Sequence, residues 1–138
     1  MVQIRLEYTG ELHCDAVHGP SSAAVATDAP VDNCGRGESF SPTDLVATAL
    51  GSCMLTLMGI TAQKRDWAFE RATAQVEKGM VADPVRRIGK LEVEIRVPGE
   101  WSAEQRAALE RAALTCPVKE SVRESIEVPV HFHWGVDV

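Results

Sequence analysis

The stretch SPTDLVATALGSCMLTLMGITAQ (residues 41–63) decides the fold, because most of it is a long run without charge. Ser41 is a favoured helix N-cap, Pro42 suits the first helical position, and Asp44 stands three residues after the cap. From Leu45 to Gln63 no residue is charged, and the lysine and arginine that follow complement the negative end of a helix dipole. The segment is therefore predicted to form one long central helix that is apolar on all sides.

This helix is about long enough to cross a lipid bilayer, so a membrane span must be weighed against a buried helix. Several small or hydroxyl-bearing residues dilute its hydrophobicity: Thr48, Gly51, Ser52, Thr56, Gly59 and Thr61. The flanking segments have the patterns of soluble amphipathic strands and helices. We therefore expect no membrane association, and a helix buried inside the protein or inside a dimer.

Alternating polarity predicts three strands before the central helix. In VQIRLEY (residues 2–8), polar residues alternate with apolar ones that would form one half-buried face, namely Val2, Ile4, Leu6 and Tyr8. Short strands are expected around residues 12–17 and 22–28. The segment DAPVDNCGRGESFS (residues 28–41) has the composition of a loop that leads into the helix.

The same pattern predicts a hairpin after the helix. Residues 71–80 and 89–99 alternate between polar and apolar side chains, and VADPVRR joins them. The second of these strands is the more regular, with four apolar positions that would face a core: Leu91, Val93, Ile95 and Val97. These two segments are therefore expected to pair as antiparallel strands.

Two helices and a final strand are predicted for the C-terminal third. Ser102 and Gln105 have the spacing of a capping box at the start of an alanine-rich helix. Pro117 bends the chain after this helix and can open a second, shorter helix that extends to about Ser125. The alternation in VPVHFHW (residues 128–134) then predicts the last strand.

The resulting order, β-β-β-α-β-β-α-α-β, predicts an α+β fold with an antiparallel sheet and a single domain over residues 1–138. No internal repeat or linker interrupts it. A small sheet has too little surface to enclose an apolar helix on every side. Two copies that pack their central helices together would solve this problem, so an obligate homodimer is expected.

The composition narrows the classes of function. The chain has 138 residues, a net charge of −6 and a pI near 5.2, which argues against nucleic-acid binding because phosphate recognition needs basic surface. The first residues lack the continuous apolar segment of a signal peptide, so a cytoplasmic location is expected. Four cysteines in that compartment are expected to be free, metal-bound or redox-active rather than structural disulfides.

Two of the cysteines lie at positions where a reactive thiol would be expected. Cys53 lies in the middle of the apolar helix, where its alternative role is that of a small buried hydrophobic residue. Cys116 precedes Pro117 at the predicted start of a helix, where backbone N–H groups can lower a thiol pKa, although it could equally be an inert junction residue. Cys14 and Cys34 have no metal-ligand spacing and are expected to be bystanders, Cys34 with an exposed thiol.

Histidines offer a second set of candidates. His131 and His133 share one face of the last strand and could bind a metal with a third ligand. The alternation of an edge strand with a polar outer face explains both residues more simply. The sequence has no CxxC, HExxH or GxGxxG motif. No metal and no cofactor are therefore predicted.

The segments SPTDLVATALGSCMLTL (residues 41–57) and LTCPVKESV (residues 114–122) resemble the OsmC/Ohr family of thiol-dependent hydroperoxide reductases. The resemblance covers nearly the whole chain and implies an intertwined α+β homodimer with active sites at the protomer interface. It implies that Cys53 is the peroxidatic thiol and Cys116 the resolving thiol. The substrate would be a small organic hydroperoxide or, less efficiently, hydrogen peroxide, and the reductant a dithiol of lipoyl or thioredoxin type.

The residues that would activate Cys53 differ from those of the best-known peroxidase branch. That branch has an arginine in the first hairpin turn, where this chain reads TGEL (residues 9–12), and a glutamate ten residues before its cysteine, where this chain has Thr43. These differences indicate a more divergent branch. The candidate activating residues are Arg36, Glu38 and Asp44. The alternative function is an OsmC-like redox sensor, or a protein that binds a small apolar ligand, without efficient turnover.

Overall fold

The computed structural model describes residues 1–138 and divides into two compact units, Met1–Val46 and Ala47–Val138. The order of its helices and strands is the predicted one, which confirms the α+β class. The elements are β1 (Ile4–Gly10), β2 (His13–His18), β3 (Ala24–Asp28), a 3-10 turn (Val31–Asn33), α1 (Pro42–Gln63), β4 (Thr73–Val81), β5 (Arg87–Val97), α2 (Ala103–Leu114), α3 (Pro117–Ser121) and β6 (Val130–Trp134).

The first unit contains a three-stranded antiparallel sheet with the order β1-β2-β3. A two-residue turn of Glu11 and Leu12 joins β1 to β2, and both residues have positive φ angles of 52° and 61°. The predicted half-buried face of β1 is wrong for the single chain, because Leu6 is 67% exposed and Tyr8 is 64% exposed. The alternation is present, but no part of this chain covers the apolar side.

A histidine between two carboxylates ties β2 to β3 in the same unit. The Nδ1 atom of His13 lies 2.6 Å from Oδ1 of Asp28, and its Nε2 atom lies 3.2 Å from Oδ1 of Asp15. Asp28 is buried. The hydrogen bond to Asp28 is the main cause that raises the pKa of His13 above its ordinary value of 6.5; partial burial opposes it and Asp15 adds to it.

This histidine predicts that stability falls as the pH rises. Because folding raises the pKa of His13, the protonated ring stabilises the folded chain fully below about pH 6.5, and this contribution is lost as the pH rises through the folded pKa. Urea denaturation of the wild type and of His13→Gln measures it. The wild type is expected to exceed the variant in free energy of unfolding at about pH 5.5 and to lose that advantage at about pH 8.5. A difference that grew with pH would contradict this assignment.

Helix α1 begins with the capping box that the sequence predicts. The Ser41 hydroxyl accepts the N–H of Asp44 at 3.1 Å, and the Asp44 carboxylate accepts the N–H of Ser41 at 2.8 Å. By length and composition the helix could cross a membrane, and its most apolar window of 18 residues has a mean hydropathy of 1.8. Only 33% of its most apolar window is buried in the chain, so much of its apolar surface has no cover within one copy.

The second unit contains a mixed sheet with the order β4-β5-β6. The predicted hairpin of β4 and β5 is confirmed, and the core positions of β5 are buried as expected: Leu91, Val93, Ile95 and Val97. The last strand differs from the prediction, because β6 runs parallel to β5. Helices α2 and α3 form a crossover between these two strands, and such a connection returns the chain in the same direction.

The two helices of the crossover keep their predicted starts. Ser102 and Gln105 form a complete capping box at α2, and Pro117 is the first residue of α3. The expected extension of α3 to Ser125 is wrong, since the helix ends at Ser121. Val122 adopts an extended backbone with ψ 154°, so the helix cannot continue past it.

The histidines of β6 pair with glutamates on the neighbouring strand. Nε2 of His131 lies 3.2 Å from Oε1 of Glu92, and Nε2 of His133 contacts the carboxylate of Glu94. Lys90 also donates a hydrogen bond to Glu92 at 2.7 Å. This bond is the main cause that lowers the pKa of Glu92, and the hydrogen bond with His131 is the second. No group of three or more histidine, cysteine or acidic residues in the chain could hold a metal ion. His131 and His133 thus share a polar face of the sheet with Glu92 and Glu94.

Candidate active site

Cys53 is held by a helix that packs closely on the sheet of the second unit. Leu50, Met54 and Met58 of α1 are fully buried. Gly51 allows the close approach, because a Cβ atom there would lie 2.9 Å from Cγ2 of Val76 on β4. Cys53 itself is only partly buried. Its thiol is therefore carried by a well-anchored helix but keeps some access to the surface.

Cys116 is placed differently, at the junction of α2 and α3. Its side chain is fully buried. It is the N-cap residue of α3, and its sulfur accepts a hydrogen bond from the backbone N–H of Lys119 at 3.3 Å. The Pro117 at the first helical position predicts this arrangement, since the N–H groups of the following residues are then free to bond the cap.

The structure brings the two cysteines together. The Cys53 thiol lies close enough to Cys116 to affect the pKa of Cys116, and both cysteines are free thiols. Burial is the main cause that raises the pKa of Cys116 above its ordinary value of 9.0; Cys53 adds to the rise, while the N–H groups of Lys119 and Val118 oppose it. The N–H groups lower this pKa as the sequence predicts, but burial outweighs them, so that the net pKa of Cys116 is raised.

The raised pKa of Cys116 indicates that the two thiols have different chemical roles. The thiolate, not the thiol, is the nucleophile in cysteine chemistry. At neutral pH Cys116 is a neutral, fully buried thiol, which excludes direct attack on a substrate from solution. Cys53 is the more accessible thiol of this pair.

The other two cysteines lie in the first unit. Cys14 is partly buried on β2, opposite Tyr8 of β1. Cys34 is exposed and has a left-handed φ of 67° at the end of the 3-10 turn. Neither belongs to the pair of thiols in the second unit.

The candidate activating residues also lie in the first unit. Arg36 forms an ion pair with Glu11 at 2.6 Å, and the two side chains are 56% and 72% exposed. Glu11 belongs to the first hairpin turn, so this pair places a guanidinium beside that turn. Glu38 is exposed, and Asp44 takes part in the cap of α1. Whether these residues act on Cys53 stays a prediction.

Sequence reasoning did not identify three features of these sites. The partner of Arg36 was missed because an ion pair across 25 residues leaves no local pattern. The role of Gly51 was missed because close packing depends on the strand opposite it. Sequence reasoning did not name Val118 and Lys119 as the residues whose N–H groups face the Cys116 sulfur. Pro117 was a usable signal for them, because it marks the start of a helix.

The OsmC-like protein family model matches residues 35–131, which include both thiols and the crossover that carries Cys116. The chain belongs to the OsmC-like protein family. No curated protein matches it. A crystal structure from Psychrobacter arcticus 273-4, provisionally described as an osmotic stress induced and detoxification response protein, is 42% identical with a TM-score of 0.91, and the match covers 96% of each chain.

More distant solved structures share the OsmC-like fold. An organic hydroperoxide resistance protein OsmC from Legionella pneumophila is 15% identical, with a TM-score of 0.76 and 96% of each chain covered. An organic hydroperoxide resistance protein from Elizabethkingia anophelis is 18% identical, with a TM-score of 0.73, 96% of this chain and 95% of the other covered. At these identities the likeness establishes the fold alone.

Proposed function

We propose that this OsmC-like protein is a cysteine-based peroxidase that reduces organic hydroperoxides, and hydrogen peroxide less efficiently. The observation that carries the proposal is the proximity of a partly buried Cys53 thiol to a fully buried Cys116 thiol. A pair of this kind supplies both a nucleophile and a second thiol that captures its oxidised form. The names of the Legionella and Elizabethkingia relatives agree with this substrate class.

The reaction needs only the two thiols, the hydroperoxide and a reductant. The Cys53 thiolate attacks the terminal peroxide oxygen, the O–O bond breaks, and the alkoxide leaves as the alcohol after it takes up a proton. Cys53 is then a sulfenic acid, which condenses with the Cys116 thiol to form a disulfide and release one water. A dithiol reductant, of lipoyl or thioredoxin type, restores both thiols by exchange and is itself oxidised to a disulfide.

The protein is proposed to act as a homodimer in the cytoplasm. The support for a dimer is the exposed apolar side of β1 together with the uncovered surface of α1. A second copy of the chain would remove both surfaces from water. No nucleic acid, membrane, metal or cofactor takes part in the proposed reaction.

Steady loss of hydroperoxide tests the proposal. We expect the purified protein, at catalytic concentration, to consume cumene hydroperoxide with one dithiol oxidised per hydroperoxide, over many turnovers. Bovine serum albumin, which also carries a free thiol, serves as the control for simple thiol oxidation. Consumption that stops after one equivalent per chain, with the dithiol in excess, would exclude the peroxidase.

A redox sensor is the second candidate, and the same two thiols favour it. The activating arginine and glutamate of the best-known peroxidase branch have no direct counterparts here, so disulfide formation without efficient turnover is a coherent outcome. Intact mass separates the two functions. A loss of two hydrogens per chain with negligible turnover favours the sensor, whereas no change in mass at all favours a protein that binds a small apolar ligand.

Arg36 is proposed to provide the cation that stabilises the Cys53 thiolate, with Glu38 and Asp44 as further candidates. Its exposed ion pair with Glu11 is weak, because solvent screens it, so the guanidinium can exchange partners. Arg36→Ala is expected to lower kcat/KM for the hydroperoxide by about tenfold or more, while Arg36→Lys retains part of the rate. Equal rates for the wild type and Arg36→Ala would remove Arg36 from the mechanism.

A further inference from the structure

The Cys116 sulfur has a structural role in the reduced protein that the proposed chemistry would end. It accepts the N–H of Lys119 at 3.3 Å and so caps α3. This helix has only five residues, and none of them is buried. A helix of this length is marginal in water, because it makes few hydrogen bonds for the backbone order that it requires.

Besides the hydrogen bonds within the helix itself, three further hydrogen bonds hold α3 in place. Glu120 N–H donates to the Cys116 carbonyl and Val122 N–H donates to the Val118 carbonyl, each at 3.1 Å. The Ser121 hydroxyl donates to the Pro117 carbonyl at 2.7 Å. The sulfur cap is therefore one of a small number of contacts, and its loss would have a large relative effect on this helix.

Of the two backbone segments that carry the thiols, the one that follows Cys116 is the less firmly anchored. Cys53 lies within the 22-residue helix α1, which buried residues on both sides of it anchor: Leu50, Met54 and Met58. Cys116 lies at a junction whose following helix is short and unburied. Closing the two thiols to a covalent S–S distance of about 2.05 Å therefore draws the Cys116 sulfur towards α1.

We propose that disulfide formation between Cys53 and Cys116 removes the sulfur cap from Lys119 and unwinds α3, so that this segment reports the redox state of the pair. The inference rests on the disulfide of the proposed function. The Cys53 sulfenic acid and the Cys116 thiol yield the disulfide and one water, and an organic hydroperoxide is the oxidant. As the Cys116 sulfur bonds to Cys53 it moves away from the Lys119 N–H, which then has no cap.

Unwinding would change the surface around α3. Lys119 and Glu120 line a cavity of about 330 Å³ together with Ile126 and Val128 of the segment before β6. When α3 loses its helical geometry, the first two residues no longer hold their positions in the wall of that cavity. The oxidised and reduced proteins then present different surfaces at a place beside the redox pair.

Residue-resolved amide hydrogen exchange on the full-length protein tests this switch. Reduced protein is compared with protein oxidised by cumene hydroperoxide or by diamide, which forms disulfides without a peroxide. We expect exchange of the Lys119 and Val122 amides to rise about fivefold or more on oxidation, the factor that loss of a typical N-cap gives. Amides of the buried strand β5 are expected to keep their rates.

Two substitutions at one position separate the cap from the disulfide. Cys116→Ser keeps a capping oxygen and Cys116→Ala does not, and neither variant can form the disulfide. We expect fast Lys119 exchange in Cys116→Ala and slow exchange in Cys116→Ser, both independent of oxidant. Equal Lys119 protection in the reduced and oxidised wild type, or in the two variants, would overturn the switch.

The outcomes also separate the switch from the peroxidase. A disulfide that diamide forms but hydroperoxide does not would exclude the proposed peroxidase, and the exchange data would still decide the switch. Absence of the disulfide with both oxidants would overturn the pairing and, with it, the switch.

Discussion

Replacing Cys53 by serine is expected to reduce hydroperoxide turnover by about a thousandfold or more. A serine hydroxyl is almost never ionised at neutral pH, so it lacks the nucleophile that breaks the O–O bond. Cys116 cannot take over, because it is fully buried and burial raises its pKa. The measurement is the initial rate of cumene hydroperoxide loss with a dithiol reductant in excess.

Two further variants serve as controls for this experiment. Cys116→Ser is expected to retain the first attack, so that the chain gains one oxygen, about 16 Da, in place of losing two hydrogens. Cys34→Ser alters an exposed thiol outside the pair and is expected to leave the rate unchanged. Full turnover by Cys53→Ser would show that the nucleophile has been assigned to the wrong residue.

Introducing a charge on the apolar side of β1 is expected to separate the proposed homodimer. The side chains of Ile4, Leu6 and Tyr8 are exposed in the single chain and alternate along one face of the strand. In a dimer that covers this face, Leu6→Asp would bury an unpaired carboxylate at a cost of about 3 kcal/mol or more, which weakens association about a hundredfold. Light scattering measures the mass, which is expected to fall from twice 15.0 kDa towards 15.0 kDa.

A matched substitution controls for surface charge alone. Val85 is 59% exposed in the loop between β4 and β5, and Val85→Asp is expected to leave the mass at that of the dimer. Hydroperoxide turnover by Leu6→Asp is expected to fall with the dimer fraction, because the family resemblance implies active sites at the protomer interface. A wild type that is monomeric at micromolar concentration would contradict the proposal that a second copy covers the apolar side of β1.

The central helix and the core strands were predictable because local patterns determine them. The cap of α1 follows from Ser41 and Asp44, and the buried positions of β5 follow from strict alternation. The direction of β6 was not predictable in this way. Its alternation is the same for parallel and antiparallel pairing, and the choice depends on how a long helical crossover returns the chain.

The exposure of β1 shows a different limit of sequence reasoning. Alternation of Ile4, Leu6 and Tyr8 with polar residues indicates that one side avoids water, but it does not say which molecule covers that side. The single chain leaves it open. The sequence therefore predicted the apolar face of β1 correctly, and the single chain shows that its cover does not come from within one copy.

The pairing of Cys53 with Cys116 was implied by the family resemblance and not by spacing, since 63 residues separate them. The net pKa of Cys116 could not be read from its neighbours in sequence. Pro117 indicates free N–H donors, which lower the pKa, whereas full burial raises it and depends on the whole packing of the second unit. The balance between these two effects on the pKa depends on the three-dimensional environment of the thiol.

The most direct test of the account is a disulfide map of the hydroperoxide-treated wild type. The protein is oxidised with one equivalent of cumene hydroperoxide, remaining thiols are alkylated under denaturing conditions, and the digest is analysed by mass spectrometry. The account predicts a linked pair of peptides that contain Cys53 and Cys116, with Cys14 and Cys34 alkylated. A disulfide that joins either thiol to Cys14 or Cys34 instead, or complete alkylation of all four cysteines, would contradict it.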